Sequence, residues 1–469
     1  MALASALFSG ISGLGTLGNA MQIIGDNISN VNTIGFKGAT FTFQDLLSQA
    51  TATMSGTSQV GRGVALGDIY SSFEQGSFES TGNTTDLAIG GQGFFPVRES
   101  GSDNLYYSRA GNFRFDREGY LINPEGYVVQ GWELDASGDD IGSITDIVLD
   151  SFTSPPVASS TVTVVTNLDS DATSNVVDLS AAWDGDNAAG TYMADTSYEY
   201  QSTVKVYDSL GSTHDITLYF DPSGTAGQWE YIAVCNPTED MRAGAAGDDL
   251  GLLARGSITF SSSSGNITDL DMYLNDGTGF SAIAETPDAA GFLNFQPDFG
   301  TGLTDIQFDI GTRDSTGGAA GGPTWVNDSL TTTQFARSST TTFQAANGYG
   351  AGDLQGVNVD VDGVITGVYS NGELIPLFRV ALAKFQNING LNKEGGNLYT
   401  ETRESGDAIT NRPGTNGLGS IAPNSLEQSN VDIANEFVKM ITTQRGFQAN
   451  SKIITVTDQM LSELINLKR

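Results

Sequence analysis

The sequence predicts a mainly β protein with an α-helix at each terminus. Three observations carry this. Apolar residues recur every seven positions near both ends. Between them, apolar and polar residues alternate in short runs separated by turn residues. Only 16% of the 469 residues are charged while 58 are glycine, a balance that suits tight turns between short strands rather than long salt-bridged helices. A chain of this length accommodates about three domains.

Residues 1–25 carry no charged side chain. Leu7, Leu14, Met21 and Ile28 fall seven apart, and Leu3, Leu17, Ile24 and Val31 form a second column broken only at Gly10. Together they make the two apolar columns of a heptad seam. Membrane insertion is not expected, because Ser5, Ser9, Ser12, Thr16, Asn19 and five glycines interrupt the stretch. A cleavable signal would want a basic start, and the first basic residue is Lys37. Each interior glycine costs a helix roughly 0.8–1 kcal/mol. A lone N-terminal helix is therefore expected to be poorly ordered, and both termini are expected to be disordered in the monomer and helical in an assembly.

At the other end only Gly446 interrupts the stretch from Asn430 to Leu467. Ile433, Met440, Phe447, Ile454 and Leu461 form an unbroken seven-spaced column, widened by Phe437, Ile441, Leu464 and Ile465, with Gln444, Ser451 and Asp458 on one flank. Asn430 or Ser429 is placed to cap the start. An ordinary core helix accounts for either column alone. Two such columns at opposite termini favour a paired coiled coil that brings the chain ends together.

In the middle, Thr203–Tyr207 and Ile216–Phe220 read as strands flanking the turn Asp208-Ser209-Leu210-Gly211. Further turn signals lie at Asp116–Gly119, Asn123–Gly126, Asp362-Gly363 and Asn371-Gly372. Gly311–Thr324 reads as a glycine-rich loop, and Pro155-Pro156 marks a break near residue 150. Residues 148–348 hold 26 acidic and 5 basic side chains, a net of −21. The whole chain carries 21 − 55 = −34. Such a charge argues against nucleic acid as a partner and against anionic membrane surfaces.

No constellation of catalytic or metal-binding residues stands out. A single cysteine, Cys235, excludes an intrachain disulfide and cysteine-based metal sites. The single histidine, His214, stands beside a hairpin turn with no nucleophile elbow in the chain. Asn358–Gly363 resembles half of a calcium loop, but Tyr369 occupies the position of the bidentate acid, so a hairpin turn explains it better. Gly90-Gly91-Gln92-Gly93 lacks the lysine of a phosphate loop and reads as a turn between strands. Neither catalytic residues, nor a cofactor, nor a metal is expected.

The motif Asn27-x-x-Asn30-x-x-Thr33-x-Gly35-Phe36-Lys37 resembles the signature of bacterial flagellar rod and hook axial proteins. Thr85–Phe95, Tyr107–Phe113, Asn424–Asp432 and Gln444–Ser451 are similar to further stretches of that family. Val206–His214 and Leu218–Phe220 resemble the outer domain that the family's rod members usually lack. The resemblance implies two nested β-rich domains between N- and C-terminal coiled-coil helices: a terminal helical domain of 1–32 and 424–469, a linker at 33–72, a discontinuous middle β domain of 73–147 and 348–423, and an inserted outer β domain at 148–347. It implies a structural subunit that polymerises into a curved tube, a universal joint passing torque from rod to filament. Implied partners are further copies of the chain, the distal rod protein, the hook cap protein, the hook–filament junction protein and the flagellar export apparatus. The implied location is extracellular, in the hook and basal body, after export through the flagellar secretion channel without a cleavable signal. A distal rod subunit of the same family and a secreted β-rich adhesin are the alternatives.

Overall fold

The computed structural model describes residues 2–53, 56–176, 178–276, 279–316 and 323–466, with only the backbone given for 2–5, 49–53, 56–58, 464 and 465. Residues 317–322 of the expected glycine-rich loop lie outside the described residues. The chain forms two compact units: Met1–Phe152 with Leu354–Tyr369 and Glu373–Arg469, and Thr153–Asp353 with Ser370–Gly372.

The first unit contains both long helices, α1 (Ala2–Ser29) and α2 (Ile433–Asn466). The cap of α2 is neither Asn430 nor Ser429 but Asp432, whose Oδ1 accepts the N–H groups of Ala434 and Asn435 at 2.8 and 3.3 Å. A cap must directly precede the first helical residue to reach these donors. Two strands, Ala39–Asp45 and Val64–Ser71, form an antiparallel ribbon within the stretch read as a linker. Residues 424–432 open with the strand Ser425–Glu427, paired with Phe78–Ser80, before α2 begins.

The body of this unit is an antiparallel sheet. Its order runs Val364–Tyr369, Leu374–Val380, Tyr127–Leu134, Phe95–Glu99, Leu105–Ser108, Leu398–Thr400 and Asn392–Gly395. Leu87, Ile89, Phe95, Val97, Val129, Val380, Leu382 and Ile421 form its core, with a separate aromatic cluster of Phe94, Tyr107, Phe385 and Tyr399. Strands from early and late sequence are interleaved, so this core cannot close until both ends of the chain are present.

Among the described residues the second unit has two larger sheets and a two-stranded ribbon of Thr312–Asp314 with Trp325–Asn327. One larger sheet runs Tyr200–Tyr207, Thr213–Pro222, Gln228–Cys235, Leu252–Phe260 and Ile267–Leu270 in sequential antiparallel order. The other is built on Thr161–Asp169, which pairs in parallel with Ile306–Asp309 and Thr333–Phe335 and antiparallel with Thr340–Ala346. Alternate residues Val204 and Val206 point inward with Ile216, Leu218, Trp229, Tyr231, Phe295 and Phe308 into one core.

The hairpins share one turn chemistry. At Asp116–Gly119, Asp208–Gly211 and Asp360–Gly363 the aspartate Oδ1 accepts backbone N–H groups two and four residues on. The fourth position is glycine because it adopts positive φ, as at Gly363 (φ 76°). The half calcium loop is thus a turn joining Gly352–Val359 to Val364–Tyr369, with Asp360 serving the backbone.

Trp229→Ala is expected to cost the second unit roughly 3–5 kcal/mol, since this side chain is only 1% exposed. Urea denaturation followed by near-ultraviolet dichroism checks it.

Candidate functional site

Two features of the first unit bear on function: the face along which the terminal helices meet, and the junction that ties them to the sheet.

The helix contact combines small and polar residues with a few apolar ones. On α1 the buried positions are Gly10, Gly13, Thr16, Ala20, Ile24 and Asn27, spaced by three or four along one stripe. On α2 they are Glu436, Thr443 and Thr457. The glycines let the backbones approach: a Cβ on Gly10 would stand 3.2 Å from Ile454 Cγ1, and one on Gly446 3.2 Å from Leu17 Cδ1.

The apolar columns of the sequence distribute differently. Ile24 is fully buried, while Leu7, Leu14, Leu17, Met21, Ile28, Val31, Met440, Ile454 and Leu461 are half-buried. Ile433, Phe437 and Phe447 are exposed, at 44%, 47% and 40%. The side chains of Leu3 and Ile465 lie outside the described residues. Phe8, Ile11, Val438, Ile441, Ile453, Val456 and Met460 are also exposed. On α2 these side chains project on both flanks of the stripe that meets α1, since positions 437 and 441 and positions 453, 456 and 460 fall on opposite sides of it at 100° per residue.

The junction is built by the motif that follows α1. Asn27 holds the ribbon as a strand would: its Nδ2 donates to Ala39 O at 2.9 Å and its Oδ1 accepts from Ala39 N at 2.8 Å. Asn30 stays local, its Oδ1 accepting from Thr33 Oγ1 at 3.1 Å. Gly35 adopts φ 68°, and its N–H donates to Glu427 O at 2.7 Å. A Cβ there would stand 2.7 Å from Ala110 N, so only glycine fits. Lys393 Nζ lies 5.6 Å from the centre of the Phe36 ring. Asn430 joins the start of α2 to the same place, accepting from Gly38 N at 2.9 Å and donating to Ser72 O at 2.8 Å.

At the centre lies a buried charge cluster. Lys37 Nζ is 2.7 Å from Glu427 Oε1, and Arg109 Nε is 2.6 Å from Glu427 Oε2. Lys37 also donates to Glu74 O at 2.7 Å. Arg109 donates to the carbonyls of Ile89, Gly91 and Gly93, the turn that resembled a phosphate loop. Burial pushes the Glu427 carboxyl up, but Arg109, Lys37 and the Gly76 N–H outweigh it and hold the group below its ordinary value. Burial pulls the Lys37 ammonium down against the opposing pull of Glu427. Glu427 and Arg109 stand in the family-like stretches of the sequence, yet their partnership was not visible there.

Residues weighed for chemistry have structural employment. His214 Nδ1 lies 2.6 Å from Glu239 Oε2, and its ring stacks on Phe299 at 3.9 Å. Cys235 is buried in its strand, and that burial pushes the thiol up to about 12, far from the thiolate range of reactive cysteines. Among the described residues no helix is long and apolar enough to cross a membrane.

Comparison with known proteins covers nearly the whole chain. Family models match for the flagella basal body rod protein at 7–37, the flagellar hook protein FlgE/F/G D1 domain at 88–176, the flagellar basal body protein FlaE D2 domain at 167–349 and the flagellar basal body rod FlgEFG protein C-terminal region at 422–467. The flagellar hook protein FlgE of Borreliella burgdorferi is 33% identical over 99% of both chains. That of Treponema pallidum is also 33% identical over 99% of both. That of Escherichia coli is 30% identical over 99% of this chain and 100% of its own.

Asn27→Ala removes both hydrogen bonds to the half-buried backbone of Ala39 and is expected to destabilise the ribbon by roughly 1–2 kcal/mol. The Ala39 amide should then lose its protection from hydrogen exchange. The carboxyl of Glu427 is depressed in the folded state, so its contribution is complete above the ordinary value of 4.5 and is lost as pH falls through the folded value. Protection of the Gly35 and Gly76 amides, taken relative to the intrinsic exchange rate at each pH, should fall when pH is lowered from about 6 to about 3.

Proposed function

The chain belongs to the flagellar hook protein family, and from that premise we propose that copies of it polymerise by packing the exposed apolar flanks of α1 and α2 against neighbouring copies. It is a structural subunit of the bacterial flagellar hook and not an enzyme. One observation carries the proposed mode of assembly: α2 leaves Phe437, Ile441, Ile453, Val456 and Met460 open on the flanks that α1 does not cover. A helix apolar on several sides is a helix with several apolar neighbours.

In this reading the terminal helices become an inner coiled-coil layer around a central channel, and a lone copy holds them less firmly than the polymer does. Residues 73–147 with 348–423 form a middle β domain and 148–347 an outer one. The tube is a universal joint, stiff in torsion through its packed helices and compliant in bending. Compliance requires outer surfaces to slide during each rotation. The acidic, polar face of 148–347 suits this, because little desolvated contact is broken as neighbours move. The tube would meet the distal rod protein at one end and the cap and hook–filament junction proteins at the other, its subunits delivered by the flagellar export apparatus through the secretion channel.

Completing the burial of a half-exposed Phe or Ile contributes roughly 1 kcal/mol. Phe437→Ser with Ile441→Ser in the full-length protein is therefore expected to raise the critical concentration for tube formation about tenfold or more. Sedimentation and negative-stain microscopy read this, with circular dichroism confirming that the β units stay folded. Tubes forming at the wild-type concentration would overturn the reading.

A further inference from the structure

The buried cluster of Lys37, Arg109 and Glu427 joins chain positions separated by hundreds of residues and holds two cations against one anion. Their side chains are 1%, 5% and 0% exposed. Among the described residues, the other acceptors of the two cations are backbone carbonyls, those of Glu74, Ile89, Gly91 and Gly93. Without the carboxylate, the Lys37 ammonium and the Arg109 guanidinium would be desolvated without an anion, and leaving a buried charge uncompensated is strongly destabilising. Lys37 and Arg109 come early in the chain, whereas the anion comes from its last strand, Ser425–Glu427.

We propose that Glu427 is a closing residue: the first unit seals over Lys37 and Arg109 only once the carboxylate of residue 427 has arrived. Synthesis delivers a chain N-terminus first. A chain that has been made only as far as its middle therefore keeps the first unit open, with α1 undocked and both cations hydrated. The second unit, nearly all of it one continuous stretch, has no such requirement. The backbone near residue 427 helps closure as well, since Gly35 N–H donates to Glu427 O and Gln428 N–H to Ser77 O. What separates the two contributions is charge, because an amide at position 427 keeps the backbone and removes the anion.

The test uses the full-length protein, its Glu427→Gln variant, and Glu427→Gln combined with Lys37→Met. Hydrogen exchange is read at the amides of Gly35, Thr81 and Gln428, with Gln228–Cys235 of the second unit as internal reference. Glu427→Gln should accelerate exchange at the three amides roughly a hundredfold or more and leave the reference unchanged. Adding Lys37→Met removes one orphaned cation and fits a residue of similar shape, so it should restore protection at least about tenfold of that loss. Wild-type protection in Glu427→Gln, or a double variant as open as the single one, would overturn the proposal.

Discussion

A helix can bury only as much of its surface as it has partners for, and among the described residues α2 packs chiefly against α1. The two meet closely where Gly10 and Gly13 face Ile454 and Asn450, where Leu17 faces Gly446, and where Asn27 reaches Glu436. Buried Glu436, Thr443 and Thr457 add little hydrophobic stabilisation. The larger apolar side chains stand on the flanks. The pair is thus modest as a core and well furnished as a surface, which is the balance expected of a subunit whose helices gain most of their burial from sister copies. A lone chain with the reverse balance would have little reason to associate.

The junction below the helices determines what such an assembly can transmit. A flexible tether would let the helix layer turn without the sheet. Here the tether is replaced by short contacts: Asn27 to the ribbon, Gly35 to Glu427, Asn430 to Gly38, and the Lys37–Glu427–Arg109 cluster. The ion pairs of the cluster are removed from water and the Asn27 and Asn430 bonds are partly so, which specifies their geometry. Twist applied to the helices therefore reaches the sheet through fixed bonds rather than through a loose linker. A structural subunit that carries torque needs this stiffness more than it needs a chemical centre, and the single histidine and cysteine are spent on packing.

Much of this could be read from the residues alone, and the exceptions have physical reasons. Seven-residue periodicity located both helices because it is a local property of a long segment. The Asp-x-x-Gly turns were legible because each is satisfied by its own aspartate and glycine. The alternation Thr40-Phe41-Thr42-Phe43 lies in the ribbon, within the stretch that the resemblance implied to be a linker. The face by which α1 meets α2 was written in Gly10 and Gly13, opposite Ile454 and Asn450, as well as in Leu17, which lies against Gly446; the glycines carry no apolar signal, so the columns showed only part of it. The charge cluster was out of reach, since Lys37 and Glu427 are 390 residues apart and nothing local marks them as a pair. The parallel pairing of Thr161–Asp169 with Ile306–Asp309 was hidden for the same reason.

The central claim is that the apolar flanks of α2 are covered by other copies of the chain. Val456 is exposed on one such flank, and native Cys235 is buried with a thiol too weakly acidic to compete for reagent. Thiol labelling of a Val456→Cys variant, compared between dilute subunits and assembled tubes, tests the claim directly. The account predicts rapid labelling in dilute subunits and strong protection in tubes. Equal labelling in both would contradict it.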